Sequence, residues 1–294
     1  MSTARTDCPG LSGSLLDNSN TFPSFTKITM YNVRLIEYPE GMQVRVYSRF
    51  VNDSEDIPED LVMPEGFVSI DNLMEPEKEK GGVKDAERSF ASSMNRTKNN
   101  IYYIARSNVW EWFVTLTIDG SKLDRYDFKL ISGKVRKWFD NLKNRKAPDL
   151  YYLIVPEQHK NGAWHFHGLL GGCEGLLFVD SGYVDKKGKK VYNFENWKFG
   201  FSTATAVQDS SRVSSYICKY VTKTLCEQTP GLQRYWASKN CKRADVKKVM
   251  LEGRELAEFR MWLFEHMSWK GGTAGEFLSV DYYEIPNLSS TNIR

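Results

Sequence analysis

The succession of apolar and amphipathic segments predicts an α+β fold, with a central antiparallel sheet flanked by helices. Three observations carry this. Residues 112–118, 150–156, 164–170 and 199–207 are short runs rich in β-branched and aromatic residues, broken by turn signals such as Asp119-Gly120 and Asn161-Gly162. Residues 126–146 set Phe128, Ile131, Val135, Trp138, Phe139 and Leu142 at helical offsets opposite a basic face. Residues 210–226 read as one further helix, capped by Asp209 and ended before Pro230. The order β-α-β-β-β-α suggests a sheet with its helices on one side.

The other elements are placed by the same signals. Residues 1–26, rich in Ser, Thr, Asn and Gly, read as a flexible tail. Two strand-like runs flank Pro39-Glu40-Gly41 and form a hairpin. Residues 52–83 hold ten acids against Lys78 and Lys80, with three prolines, and read as an acidic linker. A helical pattern covers 84–107, a lysine-rich hairpin 183–192, and a last helix 252–267. Gly271-Gly-Thr-Ala-Gly275 reads as a loop. The expected division is a tail (1–26), an accessory hairpin with linker (27–95), a core (96–226) and a mainly helical extension (227–294).

Composition excludes several classes. With 294 residues, 41% hydrophobic and 26% charged, the chain can bury a core. Mean hydropathy is −0.49, and no run approaches the ~18 apolar residues of a membrane span. No secretory signal and no membrane partner are expected, and a cytoplasmic location follows. The five cysteines are widely spaced without a CxxC, which argues against a disulfide framework or a Cys-type zinc site. Net charge is +3, but residues 1–100 carry −5 and the remainder +8, so a polyanionic partner would sit on the second part.

The chemistry concentrates in two segments. In Trp164-His-Phe-His-Gly168 the two histidines are separated by one residue in a strand, so both imidazoles share a face and suit a divalent metal. A pair of surface histidines is the competing reading. Glu157 precedes His165 by eight residues across the Asn161-Gly162 turn, and antiparallel pairing brings its carboxylate back beside them; Gln158 and His159 are alternatives at that corner. In Ser214–Lys223, Tyr216 and Tyr220 are four apart and so share one helix face, interleaved with Lys219 and Lys223. Neighbouring ammonium groups favour a phenolate and stabilise a pentacovalent phosphate. An ordinary amphipathic helix is the alternative. Candidate phosphate contacts are Lys186, Lys187, Lys189 and Lys190 in the hairpin, and Lys137 and Arg145 among the basic residues of 126–146. Trp110, Trp164 and Trp197 are either core or base-stacking groups.

The order FVTLT, WHFHGLL, YICKYVTK over residues 113–223 resembles the three motifs of rolling-circle replication initiators of the HUH endonuclease superfamily. The tyrosine spacing is similar to the two-tyrosine branch of small single-stranded DNA phages and some plasmids. The resemblance implies an HUH, ferredoxin- or RRM-like sheet with the nucleophile tyrosines on a helix packed by it. It implies His165 and His167, with Glu157 as third ligand, around Mg²⁺ or Mn²⁺. It also implies that Tyr220 or Tyr216 attacks single-stranded origin DNA, giving a 5′-phosphotyrosyl link and a free 3′-OH that primes a polymerase, with later religation. Lys219 and Lys223 match lysine positions near the nucleophiles. A host helicase and DNA polymerase in a bacterial cell are the implied partners, since the chain has no GxxxxGK[ST] motif of its own. The competing readings are an HUH relaxase or transposase, an origin-binding regulator that does not cut, and a metal hydrolase unrelated to DNA.

Overall fold

The computed structural model describes residues 30–52, 84–186, 188–229, 231–274 and 278–287. The tail at 1–26, nearly all of the acidic linker, and Lys187 lie outside the described residues, as does the side chain of Lys223. The chain divides into two units, one drawn from Met1–Pro76 with Ala244–Arg294, the other Glu77–Arg243.

In the first unit, β1 (Met30–Tyr38) and β2 (Gly41–Asn52) form the expected hairpin. They are joined by β10 (Asp245–Val249), β11 (Trp269–Ala274) and β12 (Ser279–Pro286) in an antiparallel sheet of order β10-β1-β2-β12-β11. Helix α5 (Gly253–His266) lays Phe259, Trp262 and Leu263 on Val33, Leu35, Val44, Val46, Tyr283 and Ile285. The register of β1 on β2 shifts between Tyr31 and Val33, and Tyr31 and Val51 join Tyr47, Val280 and Tyr282 in a second cluster.

This corrects the expected division. Residues 227–294 are not a mainly helical extension, because α5 is flanked by strands that complete the sheet begun by β1 and β2. A two-stranded hairpin is marginal in water, and the C-terminal strands supply its missing partners. The glycine-rich stretch expected as a loop is strand over Gly271–Ala274, held by pairing with β12.

The second unit opens with α1 (Lys84–Arg106), followed by β3 (Trp112–Thr117). Helix α2 (Phe128–Arg145) is capped by the Asp127 carboxylate, which accepts from the Leu130 N–H at 2.9 Å, and carries Lys143 and Arg145 in its last turn where the dipole favours them. Next come β4 (Tyr151–Gln158), β5 (Trp164–Gly171), β6 (Phe178–Val184), β7 (Lys190–Phe194) and β8 (Ser202–Ala206). Helices α3 (Ser210–Cys218) and α4 (Lys223–Gln228) and the short β9 (Trp236–Ala237) complete the unit. The sheet order is β6-β7-β8-β3-β5-β4-β9.

Helices cover both faces of this sheet, not one. On one face, α2 stacks Phe128 on Trp164 and Phe139 on Tyr152. On the other, α3 packs beside α1 and turns Tyr220 onto His167. Leu153, Ile154 and Val155 are consecutive and wholly buried, which requires apolar cover on each side of β4. The described residues contain no helix long and apolar enough to cross a membrane. Their four cysteines, Cys173, Cys218, Cys226 and Cys241, are free and buried.

The helix expected over 210–226 is interrupted. After Cys218 the bonds tighten to i→i−3, from the N–H groups of Lys219, Tyr220 and Val221 to the carbonyls of Tyr216, Ile217 and Cys218. Thr222 then turns extended, and its hydroxyl accepts from the Leu225 N–H at 3.1 Å to start α4. A threonine that caps a new helix competes with continuation of the old one. Tyr216 is thus on the last turn of α3, and Tyr220 lies just past it.

Candidate functional site

The hairpin β4–β5 builds the first half of the site. Its turn is closed by the Gly162 N–H to the His159 carbonyl at 2.8 Å, with Gly162 at φ +85°, a conformation that glycine adopts without strain. The resulting register sets Glu157 opposite His165 and Val155 opposite His167. His165 and His167 share one face of β5, and Phe166, fully buried, takes the other. The Glu157 carboxylate reaches diagonally to the other imidazole, with Oε2 2.7 Å from His167 Nε2. His159 stacks on His165, ring centres 4.6 Å apart.

Strand β3 backs both imidazoles. Thr115 pairs with His167 and Thr117 with His165, and their hydroxyls lie 3.2 and 3.4 Å from the respective Nδ1 atoms. A hydroxyl both donates and accepts, so it serves either imidazole tautomer. In His167 the Nε2–H donates to the Glu157 carboxylate, so Nδ1 accepts from the Thr115 hydroxyl; the opposite tautomer, with Nδ1 donating to Thr115, would free the Nε2 lone pair.

The second half comes from α3 and the turn after it. The Tyr220 ring lies flat on His167, centroids 3.6 Å apart and planes within 9°. The Tyr220 hydroxyl donates to the Tyr216 hydroxyl at 3.1 Å. Phe113, on the same face as Thr115 and Thr117, touches both tyrosine rings. Lys219 Nζ stands 3.5 Å from the centre of the Tyr216 ring and 4.8 Å from that of Tyr220.

The charge states follow from these contacts. The His167 hydrogen bond holds the Glu157 carboxyl below its ordinary range. Burial lowers His167, against the opposing pull of Glu157. Burial, then the neighbouring His159 and His167, lowers His165. Burial raises the Tyr220 phenol strongly, and its hydrogen bond to Tyr216 adds to the rise. At neutral pH the corner presents one carboxylate, two neutral imidazoles and a protonated buried phenol.

This donor set has the chemistry a divalent ion takes, with imidazole nitrogen and carboxylate oxygen. It is not assembled around an ion: among the described residues no group of three His, Cys, Asp or Glu side chains is arranged to hold one. The Glu157–His167 contact occupies that position and must open for both atoms to ligate.

Six sequence candidates therefore converge: Glu157, His165, His167, Tyr216, Tyr220 and Lys219. Others do not. Lys137 and Arg145 are exposed on α2, which covers the opposite face of the sheet. Lys186, Lys189 and Lys190 belong to the β6–β7 hairpin, whose turn projects past the Trp112 end of the sheet, away from Thr117 and His165. Lys190 is paired with Asp180 at 3.1 Å. Trp110, Trp164 and Trp197 are core, with the Trp110 indole N–H on the Ala105 carbonyl and that of Trp197 on the Thr117 carbonyl. Phe113, Thr115 and Thr117 were not candidates on sequence; the alternation in FVTLT puts them on one face, but only strand pairing reveals what that face meets.

No curated protein and no solved structure matches the chain at a significant level. A family model does, over about two-fifths of the chain and spanning every residue of the site just described: residues 111–225 match the replication-associated protein family of the ORF2 type.

Proposed function

We propose that the protein is a rolling-circle replication initiator that nicks single-stranded origin DNA with a tyrosine nucleophile and later religates it. The observation that carries this reading is the meeting of Tyr216, Tyr220 and Lys219 with Glu157, His165 and His167 on one face of one sheet, inside the segment that matches a replication-associated family.

Glu157, His165 and His167 would hold Mg²⁺ or Mn²⁺. Such an ion polarises a scissile phosphate and orients it toward its nucleophile. The chain's own residues do the rest. A phenol oxygen displaces the 3′ oxygen from phosphorus, the DNA 5′-phosphate becomes a tyrosyl ester, and the released 3′-OH primes a host polymerase. The ester conserves the phosphodiester energy, so a 3′-OH can reseal the strand without a nucleotide cofactor. Lys219 offers a cation where negative charge develops. A host helicase opens the duplex.

The test uses labelled single-stranded oligonucleotides tiling the intergenic DNA of the replicon that encodes the protein. With Mn²⁺, wild type gives a DNA–protein adduct on a denaturing gel. EDTA, His165→Ala and the double change Tyr216→Phe/Tyr220→Phe each remove it. Salt-sensitive binding without any adduct would instead favour a regulator that does not cut.

A further inference from the structure

We infer that the two tyrosines are unequal, with Tyr216 making the first cut and Tyr220 held in reserve. This rests on the nickase reading above. Tyr216 is 43% exposed and Tyr220 only 7%, so a DNA phosphate arriving from solvent meets Tyr216 first. The two hydroxyls lie 3.1 Å apart, so the Tyr220 O–H is in reach to donate to the Tyr216 oxygen as phenolate charge develops there. Tyr220 is also clamped: its ring lies flat on His167 at 3.6 Å and is backed by Phe113. Lys219 Nζ is nearer the Tyr216 ring than the Tyr220 ring, at 3.5 against 4.8 Å.

The steps balance without a further reactant. Tyr216 Oη bonds to phosphorus and the P–O3′ bond breaks; the 3′ oxygen takes a proton from water, and the phenolic proton passes to solvent. Tyr216 is then tied to the DNA 5′ end through Oη, and that oxygen no longer carries a proton to share with the Tyr220 hydroxyl. At the regenerated junction Tyr220 Oη attacks the new phosphate. The 3′-OH released there attacks the Tyr216 ester, which closes the first strand and returns Tyr216 as a phenol.

Trypsin separates the two nucleophiles, because Lys219 lies between them: Tyr216 falls in the peptide 213–219 and Tyr220 in 220–223. The full-length chain is reacted with excess cleavable oligonucleotide and Mn²⁺ for a single turnover, digested with trypsin and nuclease, and the phosphonucleotide located by mass spectrometry. The expected result is label on 213–219. Tyr216→Phe should lower the first adduct by about 100-fold or more, whereas Tyr220→Phe, which removes only a neighbouring donor from that step, should lower it by about 10-fold, keep the label on 213–219 and abolish joining of a second cut end. Label on 220–223, or equal loss in the two single variants, overturns the ordering and leaves the nickase standing. No adduct from wild type on any oligonucleotide overturns the nickase reading and the ordering with it.

Discussion

His167 is held from three directions, by Glu157 at Nε2, Thr115 at Nδ1 and the Tyr220 ring across its face. Thr115→Val keeps the shape and removes the hydroxyl. Loss of such a supporting bond typically weakens a metal site by about 10–100-fold. We expect calorimetric Mn²⁺ affinity to fall by that order while oligonucleotide binding in EDTA is unchanged; equal affinity for both proteins would show that the hydroxyl does not position the ring. Protons report on the same corner. Both imidazoles titrate below their ordinary value of 6.5 when folded. Below that value the unfolded chain takes up protons that the folded chain refuses, so stability is complete above about pH 6.5 and declines as pH falls toward the folded values. Glu157, held below its ordinary 4.5, adds a loss in the same direction at lower pH. Thermal melts in EDTA should give a lower Tm at pH 5.5 than at 7.5. His165→Gln with His167→Gln should shrink that difference, and an undiminished difference would assign it elsewhere.

Two element junctions position the site. Gly200 lies where the chain enters β8 beside the end of β3, with Thr117 and Asp119 donating to the Phe201 and Phe199 carbonyls. A Cβ at Gly200 would come within 2.2 Å of the Thr117 carbonyl oxygen and 2.7 Å of the Asp119 nitrogen, both backbone atoms. Gly200→Ala should therefore destabilise the unit by roughly 1–3 kcal/mol in denaturant titrations. The second junction is the break between α3 and α4. Thr222→Ala removes the α4 cap and should cost about 1 kcal/mol, with strand joining reduced more than first cleavage because Tyr220 sits in that turn. Equal loss of both steps would separate the cap from the second tyrosine.

At the scale of the whole chain, the two units have different connectivity. Glu77–Arg243 is one continuous segment and contains every site residue, whereas the other unit joins both ends of the chain. The fragment 77–243 is expected to unfold cooperatively and to form the DNA adduct by itself. Removal of 244–294 should leave β1 and β2 without β10 and β12, which circular dichroism of the truncated chain would register as lost strand signal. The lysine hairpin makes a separate, electrostatic prediction. Lys190 is already engaged by Asp180, so Lys186 and Lys189 are the ammonium groups to remove. Changing both to Ala should lower the salt slope of single-stranded DNA binding by about 1.4, at roughly 0.7 per phosphate contact. Anisotropy titrations between about 50 and 200 mM salt measure it; an unchanged slope would take the hairpin off the DNA path.

Local order was legible in the sequence wherever one short-range signal governs it. The period of two placed His165 and His167 on one face and Phe166 on the other. The Asn161-Gly162 turn brought Glu157 back opposite His165. The helical offsets of 126–146 identified the stripe from Ile131 to Leu142 that α2 buries. Long-range contacts were not legible, because no local pattern records which strand lies beside which. The pairing of β3 with β5 turned FVTLT from a strand into the support of two imidazoles. The pairing of β1 and β2 with β10 and β12 turned an expected helical tail into half of a sheet. The inequality of Tyr216 and Tyr220 is likewise tertiary. Their spacing alone makes them equivalent on a helix, and it is the end of α3 at Cys218, with Thr222 starting a new helix, together with the ring of His167 beneath, that buries Tyr220 and leaves Tyr216 43% exposed.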